Sequence, residues 1–510
     1  MIMVYIITAA CLDVMDRSCV DECPVDCVYE GRRKLYIHPE ECIDCGACAR
    51  VCPVDAISWD RDADADPTAT DLTATDEIHA HLAAPLAAVD ADLTARHPAA
   101  SADADAHSDA RRSQPVHTCY LPADQMSPDI VPVWAARATT LLAAHGSDPA
   151  TLAAATGGDP HPATAAAVHA HVTRVLATEP IQDLRVDLED GYGPRPDAVE
   201  DADTERAAAA LRAASAAGTL PARYGLRPKS LDPTVRARGL RSLDLFLSAL
   251  VADAAPPPPG LVLTLPKVGD PRQLTVFVAV LTELERRLGL APIGVEVQVE
   301  TPAAVLALPE LVTAGLALGP GRLVGLHVGT YDYSASLGIG AADQASDHPA
   351  VEHATTMMQL AAAGTGIEVA DGSSNLLPKD EQPSDERTVH RAWRRHAGLV
   401  RRAWHRGLYQ GWDLHPGQLV SRHAAVGGCL LAGLDAALAR LGAYVSGIEG
   451  AGIEGAGTVS GAIADEPATG RALAGHVRRA LDAGLLDDAG LAAAGLHRTV
   501  VDRLATASPS

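Results

Sequence analysis

The sequence predicts an α/β protein: a (β/α)₈ TIM barrel with a C-terminal helical extension, preceded by a small, cysteine-rich α+β unit. From Pro115 onward, eight short β-rich runs alternate with long Ala/Leu-rich helical stretches, the pattern of a parallel sheet covered by helices. Most of the runs are apolar first and charged at the C-terminal end, where barrel sites form. Eight of the ten cysteines fall between Cys11 and Cys52. The expected divisions are residues 1–60 for the cysteine-rich unit, 61–74 for an acidic linker, 75–420 for the barrel and 421–510 for the extension.

Composition bounds the function. Apolar residues make up 47% of the 510 but aromatics only 3%, so the core is expected from Val, Leu and Ala. A formal net charge of −24 argues against nucleic acid or an anionic membrane as partner, because both need a basic footprint. The opening "MIMVYIITAAC" is short, lacks a basic flank and reads as a buried strand leading to Cys11. No later run reaches the ~18 uninterrupted apolar residues of a membrane span. A cytoplasmic location is therefore expected, and with it metal or cluster ligation by the cysteines rather than disulfides.

The cysteine spacing points to iron and sulfur. In "CIDCGACARVCPVDAI", Cys42, Cys45 and Cys48 form a CxxCxxC loop able to wrap three corners of a [4Fe-4S] cube. The fourth cysteine of such a run, here Cys52 before Pro53, serves the other cluster. The partner half, "CLDVMDRSCVDECPVDC", supplies Cys23 as the matching remote ligand. It holds no CxxCxxC, so one corner of its own cluster lacks a thiolate. The expected sets are Cys11, Cys19 and Cys52 on a [3Fe-4S] cluster, and Cys23, Cys42, Cys45 and Cys48 on a [4Fe-4S] cluster. Cys27 is left over, either a labile ligand or, by the commoner outcome, a buried unligated thiol. Residues 3 to about 60 closely resemble the seven-iron bacterial ferredoxins, which implies low-potential electron transfer and a redox partner protein.

Past Trp59, "DRDADADPTATDLTATD" lacks apolar periodicity and reads as a solvated tether, whereas "EIHAHLAAPLAAVDADLTARH" regains helical spacing. The eight strand candidates are "PVHTCYLPA", "DLRVDLEDGY", "YGLRPKSL", "GLVLTLPKV", "GVEVQVETP", "LVGLHVGTYDYS", "GIEVADG" and "GWDLHPGQLV". Their ends carry Asp190, Arg227, Lys267, Glu300, Asp332, Asp371 and His415. Neither a GxGxxG turn nor a P-loop follows any of them. In "VHRAWRRHAGLVRRAWHRGLYQ", Trp393, Ala397, Val400 and Trp404 make an apolar stripe at helical spacing beside a solvated basic face. The Gly-rich "GIEGAGIEGAG" is expected as a loop, and His327 as a core histidine.

The strand ends suggest a chemistry. Glu300 and Asp332 close neighbouring strands with hard oxygen donors and no zinc-spaced His or Cys, which suits Mg²⁺ or Mn²⁺. Such an ion would stabilise enolate charge on a 2-keto or 2-hydroxy acid as a carbon–carbon bond breaks or forms. Arg227 would add a forked donor to the same substrate, with Lys267 and His415 as further binding candidates. Lys267, His415, Asp187 and Glu189 serve equally well as rigid hydrogen-bonding supports.

The ordered set "VDLEDGYG", "GLRPKSL", "LTLPKV", "VETPAAV", "GTYDYSASLG" and "LHPGQL" resembles the HpcH/HpaI aldolase and citrate lyase β-subunit family, across residues 115 to 420. The resemblance implies a TIM barrel, Mg²⁺ on Glu300 and Asp332, and Arg227 on the substrate, a carboxylic acid or its acyl-CoA thioester. It also implies a homo-oligomer, since in malyl-CoA-lyase-like members a C-terminal region caps a site, often on a neighbouring subunit. Tyr331 and Gly269 depart from residues common in the family, and the loop "DLEDGYGPR" lacks the His of the pyruvate-aldolase subtype. The leading expectation is a metal-dependent carbon–carbon lyase joined to a ferredoxin. Its rivals are an electron carrier with a non-catalytic binding barrel, and an uncoupled fusion of two genes.

Overall fold

The computed structural model describes residues 5–7, 9–11, 14, 16–30, 35–38, 41–59, 114–251, 256–379, 385–451, 458–460 and 463–506. The expected linker 61–74 and the helix expected near residue 75 lie outside them. The chain divides into two compact units, Met1–Ala91 and Asp92–Ser510.

In the first unit, strand β1 (Tyr5–Ile7) pairs antiparallel with β4 (Ile57–Trp59), and β2 (Val28–Glu30) with β3 (Leu35–Ile37). Ile7, Leu35, Ala56 and Ile57 form a core shared with Cys11, Cys19 and Cys48. A core this small leaves such a unit dependent on whatever its cysteines bind.

The second unit is an eight-stranded parallel barrel wrapped in helices. Strands β5 (His117–Pro122), β6 (Asp183–Asp187), β7 (Arg223–Arg227), β8 (Leu261–Leu265), β9 (Gly294–Val299), β10 (Leu323–Val328), β11 (Glu368–Ala370) and β12 (Gly411–Asp413) take the order 11-10-9-8-7-6-5-12. A bridge between Ala370 and Gln410 closes the ring, with the Asp371 N–H donating to the Gln410 carbonyl at 2.8 Å. All eight runs identified in the sequence are strands.

Alternation sorts the side chains. Leu184 and Val186 on β6, and Val295, Val297 and Val299 on β9, face the helices and belong to the main apolar core. The intervening positions, Asp183, Arg185 and Asp187 on β6 and Glu296, Gln298 and Glu300 at β9, are buried polar groups. Arg185 pairs with Asp183 and, at 2.8 Å, with Glu296, and donates to Thr264 at 3.1 Å. His327 lies buried 3.5 Å from Glu296, a core histidine as expected. The barrel thus holds ionic layers where Val, Ile and Leu commonly sit.

Helix Glu386–His405 buries Trp393, Ala397, Val400 and Trp404, the stripe read from the sequence. The boundary expected at 420/421 falls inside helix Pro416–Leu431. The Gly-rich segment expected as a loop continues helix Leu434–Ala451 through its first repeat, while 452–457 lie outside the described residues. Beyond it, helices Pro467–Asp482, Asp488–Ala493 and Arg498–Thr506 build a second apolar core with helices Glu386–His405 and Pro416–Leu431. Among the described residues no single helix is long and apolar enough to cross a membrane.

Candidate active site

The cysteines of the first unit gather in two groups. Cys11, Cys19 and Cys52 line one small cavity with Ile7, Val14 and Ile57. Burial pushes the Cys19 thiol up to about 11, with Cys11 and Cys52 adding to it. In the second group, burial again raises Cys48, and Cys42, Cys23 and Cys45 lie near enough to raise it further. Cys27 stands beside this second group, its Sγ 3.5 Å from that of Cys23 and its N–H donating to the Cys23 sulfur at 3.4 Å. None of the eight is in a disulfide.

At the C-terminal mouth of the barrel, Arg227 ends β7 and is buried. Its Nε and Nη2 donate to the two carboxylate oxygens of Asp187 at 2.8 and 2.7 Å, and its Nη1 donates to Gln298 Oε1 at 3.1 Å. The guanidinium is stacked on Tyr120, 4.8 Å from the ring centre, with Trp412 5.9 Å away. Three of its five donors are spoken for, which leaves one N–H on each terminal nitrogen. The side-on fork expected for a substrate is therefore held by Asp187, and what remains is an end of the guanidinium fixed in direction.

Glu300, just past β9, is buried. Its Oε1 accepts the Lys267 backbone N–H at 2.7 Å and its Oε2 accepts the Gln298 side-chain amide. Gly329 makes that placement possible, since a Cβ there would fall 2.3 Å from Glu300 Oε2. Lys267 has a φ of +53°, a left-handed conformation that an L residue adopts at a cost of about 1–3 kcal/mol. That conformation presents its N–H to Glu300 while its ammonium reaches Glu189 at 2.7 Å, Asp190 at 2.8 Å and Asp332 at 3.2 Å. Asp332, in the helix Thr330–Ser336 after β10, remains 43% exposed at the rim.

The mouth is short of positive charge. Among the described residues, Arg227 and Lys267 are the cations that Asp187, Glu189, Asp190 and Asp332 pair with, and Glu300 pairs with neither. Burial pushes the Glu300 acid up to about 8, Arg227 opposing and Asp332 and Glu189 adding to the rise. Glu189 is pushed up to about 7, again chiefly by burial. Hard oxygen donors in excess around one buried carboxylate fit a divalent cation of the Mg²⁺ or Mn²⁺ type.

Of the expected residues, Arg227, Lys267, Glu300, Asp332 and Asp190 thus come together. His415 caps helix Pro416–Leu431, its Nδ1 accepting the Gly417 N–H at 3.1 Å. Asp371 turns toward the helix layer, where Arg422, Arg406 and Glu352 are its charged neighbours. Sequence reasoning missed Tyr120, Gln298 and Trp412. The Gln298 signal was present in "GVEVQVE", whose polar residues recur at every second position and so share the inner face with Glu300.

Comparison with known proteins places both units. Residues 86–508 match a family model described as "Domain of unknown function (DUF6986)", and residues 35–58 one described as "4Fe-4S binding domain". The front is 62% identical over 60 residues to a ferredoxin of Saccharopolyspora erythraea, covering 12% of this chain and 57% of that protein, so the chain spans little more than half of that relative. It is 58% identical over 55 residues to a "Ferredoxin 7Fe" of Hydrogenibacillus schlegelii, covering 11% of this chain and 70% of that one. A solved structure of a citrate lyase from Burkholderia xenovorans LB400 shares the fold, with a TM-score of 0.50 at 20% identity, covering 75% of this chain and 96% of that chain. The first unit is thus a ferredoxin region, and the second has the fold of a citrate-lyase-type barrel.

Proposed function

We propose that the chain, which belongs to the family described as Domain of unknown function (DUF6986), is a metal-dependent carbon–carbon lyase or aldolase acting on a 2-keto or 2-hydroxy acid or its acyl-CoA thioester. The observation that carries the reading is the uncompensated carboxylate cluster at the barrel mouth beside an oriented arginine. Glu300 and Asp332 would hold Mg²⁺ or Mn²⁺, supplying Lewis-acid stabilisation of negative charge on the substrate oxygen as the bond breaks or forms.

The chain's own residues do the rest. Asp187 fixes the Arg227 plane, so the two free N–H groups present a preset donor pair to a substrate carboxylate or enolate oxygen. Tyr120 and Trp412, packed on each other, wall the guanidinium on one side. Lys267 tethers Glu189, Asp190 and Asp332 in one cluster, and its backbone N–H holds the Glu300 carboxylate in orientation. His415 fixes the start of its helix through Nδ1.

For the first unit we propose a [3Fe-4S] cluster on Cys11, Cys19 and Cys52 and a [4Fe-4S] cluster on Cys23, Cys42, Cys45 and Cys48, serving electron transfer to a redox partner. The two separate thiol groups support this division.

The test is a screen of malate-like acids, 2-keto acids and their CoA thioesters for cleavage with Mn²⁺ present and after chelation. Cleavage that disappears with the ion and returns on its addition supports the reading. Tight Mn²⁺ binding with no acid or thioester cleaved or condensed overturns it.

A further inference from the structure

A second cavity lies away from the mouth, between the barrel's outer helices and the C-terminal extension. Its volume is about 410 Å³, and its walls include Leu152, Ala165, Val168, Trp404, Ala425 and Cys429. That size falls among small-molecule sites. Arg401 and Gly428 also line it. Gly428 stands near the far end of helix Pro416–Leu431, about 18 Å along its axis from the end that meets the mouth. The cavity is therefore separate from the carboxylate cluster.

Arg401 is half-buried in this wall. The fully buried arginines have carboxylates: Arg185 has Asp183 and Glu296, Arg227 has Asp187, Arg322 has Glu285 and Arg422 has Asp413. Among the described residues Arg401 has none, and its bond is to the Thr156 carbonyl at 3.0 Å. Burial holds it below its ordinary range. Nearby, Arg479 lies 3.6 Å over the ring of Tyr409, another wall residue, and likewise pairs with no carboxylate among the described residues. The indole N–H of Trp404 has no acceptor there. Asp159 lines the cavity too, but it is exposed and accepts the His161 N–H at 2.9 Å. A partly desolvated guanidinium with open donors, set in an apolar wall of an acidic protein, calls for an anion to complete it.

We propose that this cavity binds a monocarboxylate with an apolar acyl or aryl body, its carboxylate on Arg401 and its body among Leu152, Val168, Trp404 and Ala425. Among the described residues Arg401 is the one arginine or lysine that lines the cavity, which matches one negative charge. A polyanion would leave further charges against apolar surface, and a neutral apolar molecule would leave Arg401 as it is. The inference does not depend on the lyase reading.

Octanoate is the probe, with octan-1-ol as its neutral counterpart and acetate as the charge without the body, titrated calorimetrically into the full-length holoprotein. Saturable octanoate binding is expected, with octan-1-ol and acetate each weaker by about tenfold or more. Arg401→Met should remove the preference for octanoate over octan-1-ol. Gly428→Leu is the second variant: a Cβ there meets nothing within 4 Å, so the side chain enters the cavity without displacing the protein, and Leu suits a helix better than Gly. It should fold normally and bind neither probe. Equal affinity for octanoate and octan-1-ol, no saturable binding by the wild type, or octanoate binding unchanged by Gly428→Leu would each overturn the proposal.

Discussion

Replacing Glu300 by Gln probes the charge at the mouth without changing its shape, and the structure sets the expected energies. The Glu300 carboxylate accepts from the Lys267 N–H on one oxygen and from the Gln298 amide on the other. Gln298 cannot turn over to suit a carboxamide, because its own oxygen accepts from Arg227. Gln at position 300 therefore sets one donor against another, at about 1–3 kcal/mol for a buried group. The removed charge acts in the opposite direction. Burial has raised the acid from 4.5 to about 8, and at about 1.4 kcal/mol per pH unit the ionised form is disfavoured by up to about 5 kcal/mol in the metal-free protein. Because the folded value is the higher one, that stability is intact below about pH 4.5 and is lost as pH rises through about 8. Calorimetry of the metal-free variant should accordingly show destabilisation near pH 5 that shrinks or reverses near pH 8.5. Mn²⁺ affinity, followed by EPR, should fall on the order of 10²-fold, as one of two anionic ligands is gone. A variant that keeps wild-type Mn²⁺ affinity, or whose stability change ignores pH, refutes this account of Glu300.

Three further outcomes are expected. Gly329→Ala places a Cβ 2.3 Å from Glu300 Oε2, so it should cost about 1–3 kcal/mol by overpacking and weaken Mn²⁺ binding with the mouth residues untouched; unchanged metal titration would count against the geometry. Asp371, raised to about 6 by burial and with Oδ1 unpartnered among the described residues, weakens the fold as pH climbs from the ordinary carboxylate range to that value. Asp371→Asn should then stabilise by about 1–3 kcal/mol at pH 7.5 and by about half as much at pH 5 in denaturant titrations, and an equal effect at both would exclude a charge origin. Cys27→Ala should retain both iron–sulfur EPR signals, whereas Cys23→Ala/Cys27→Ala, which also removes the neighbouring sulfur 3.5 Å away, should lose the four-iron signal; iron content counts the loss.

The strands were legible in the sequence because each is a local pattern: a few apolar residues, an abrupt polar end, then helical spacing. Even the three-residue strands Glu368–Ala370 and Gly411–Asp413 sat in such runs. The carboxylates and cations at those ends were legible for the same reason. Their partners were not. Asp187 lies 40 residues from Arg227, and only the β6–β7 register sets the two side by side. Tyr120 and Trp412 meet because β5 and β12, far apart in the chain, are neighbours in the closed ring. His415 was legible as the end of a strand, but its place as the N-cap of the next helix, which claims its Nδ1, was not.

The period-two polar triplets carry more than register. Along β6 and β9 the inner residues pass from Asp183, Arg185 and Glu296 in the lower layer to Asp187, Gln298 and Glu300 at the mouth. Below, every one of these carboxylates has an arginine: Arg185 serves Asp183 and Glu296, His327 stands beside Glu296, and Arg223 pairs with Glu368. A connected set of this kind makes the interior rigid. Above, the matching stops. Asp187 takes Arg227 for itself, and the one remaining ammonium, Lys267, is shared among Glu189, Asp190 and Asp332 while Glu300 is left with neutral donors. If carboxylates at the mouth served only to hold the barrel together, they would be paired as the lower layer is. The contrast between two layers built on the same strands supports the proposal that a cation completes the mouth.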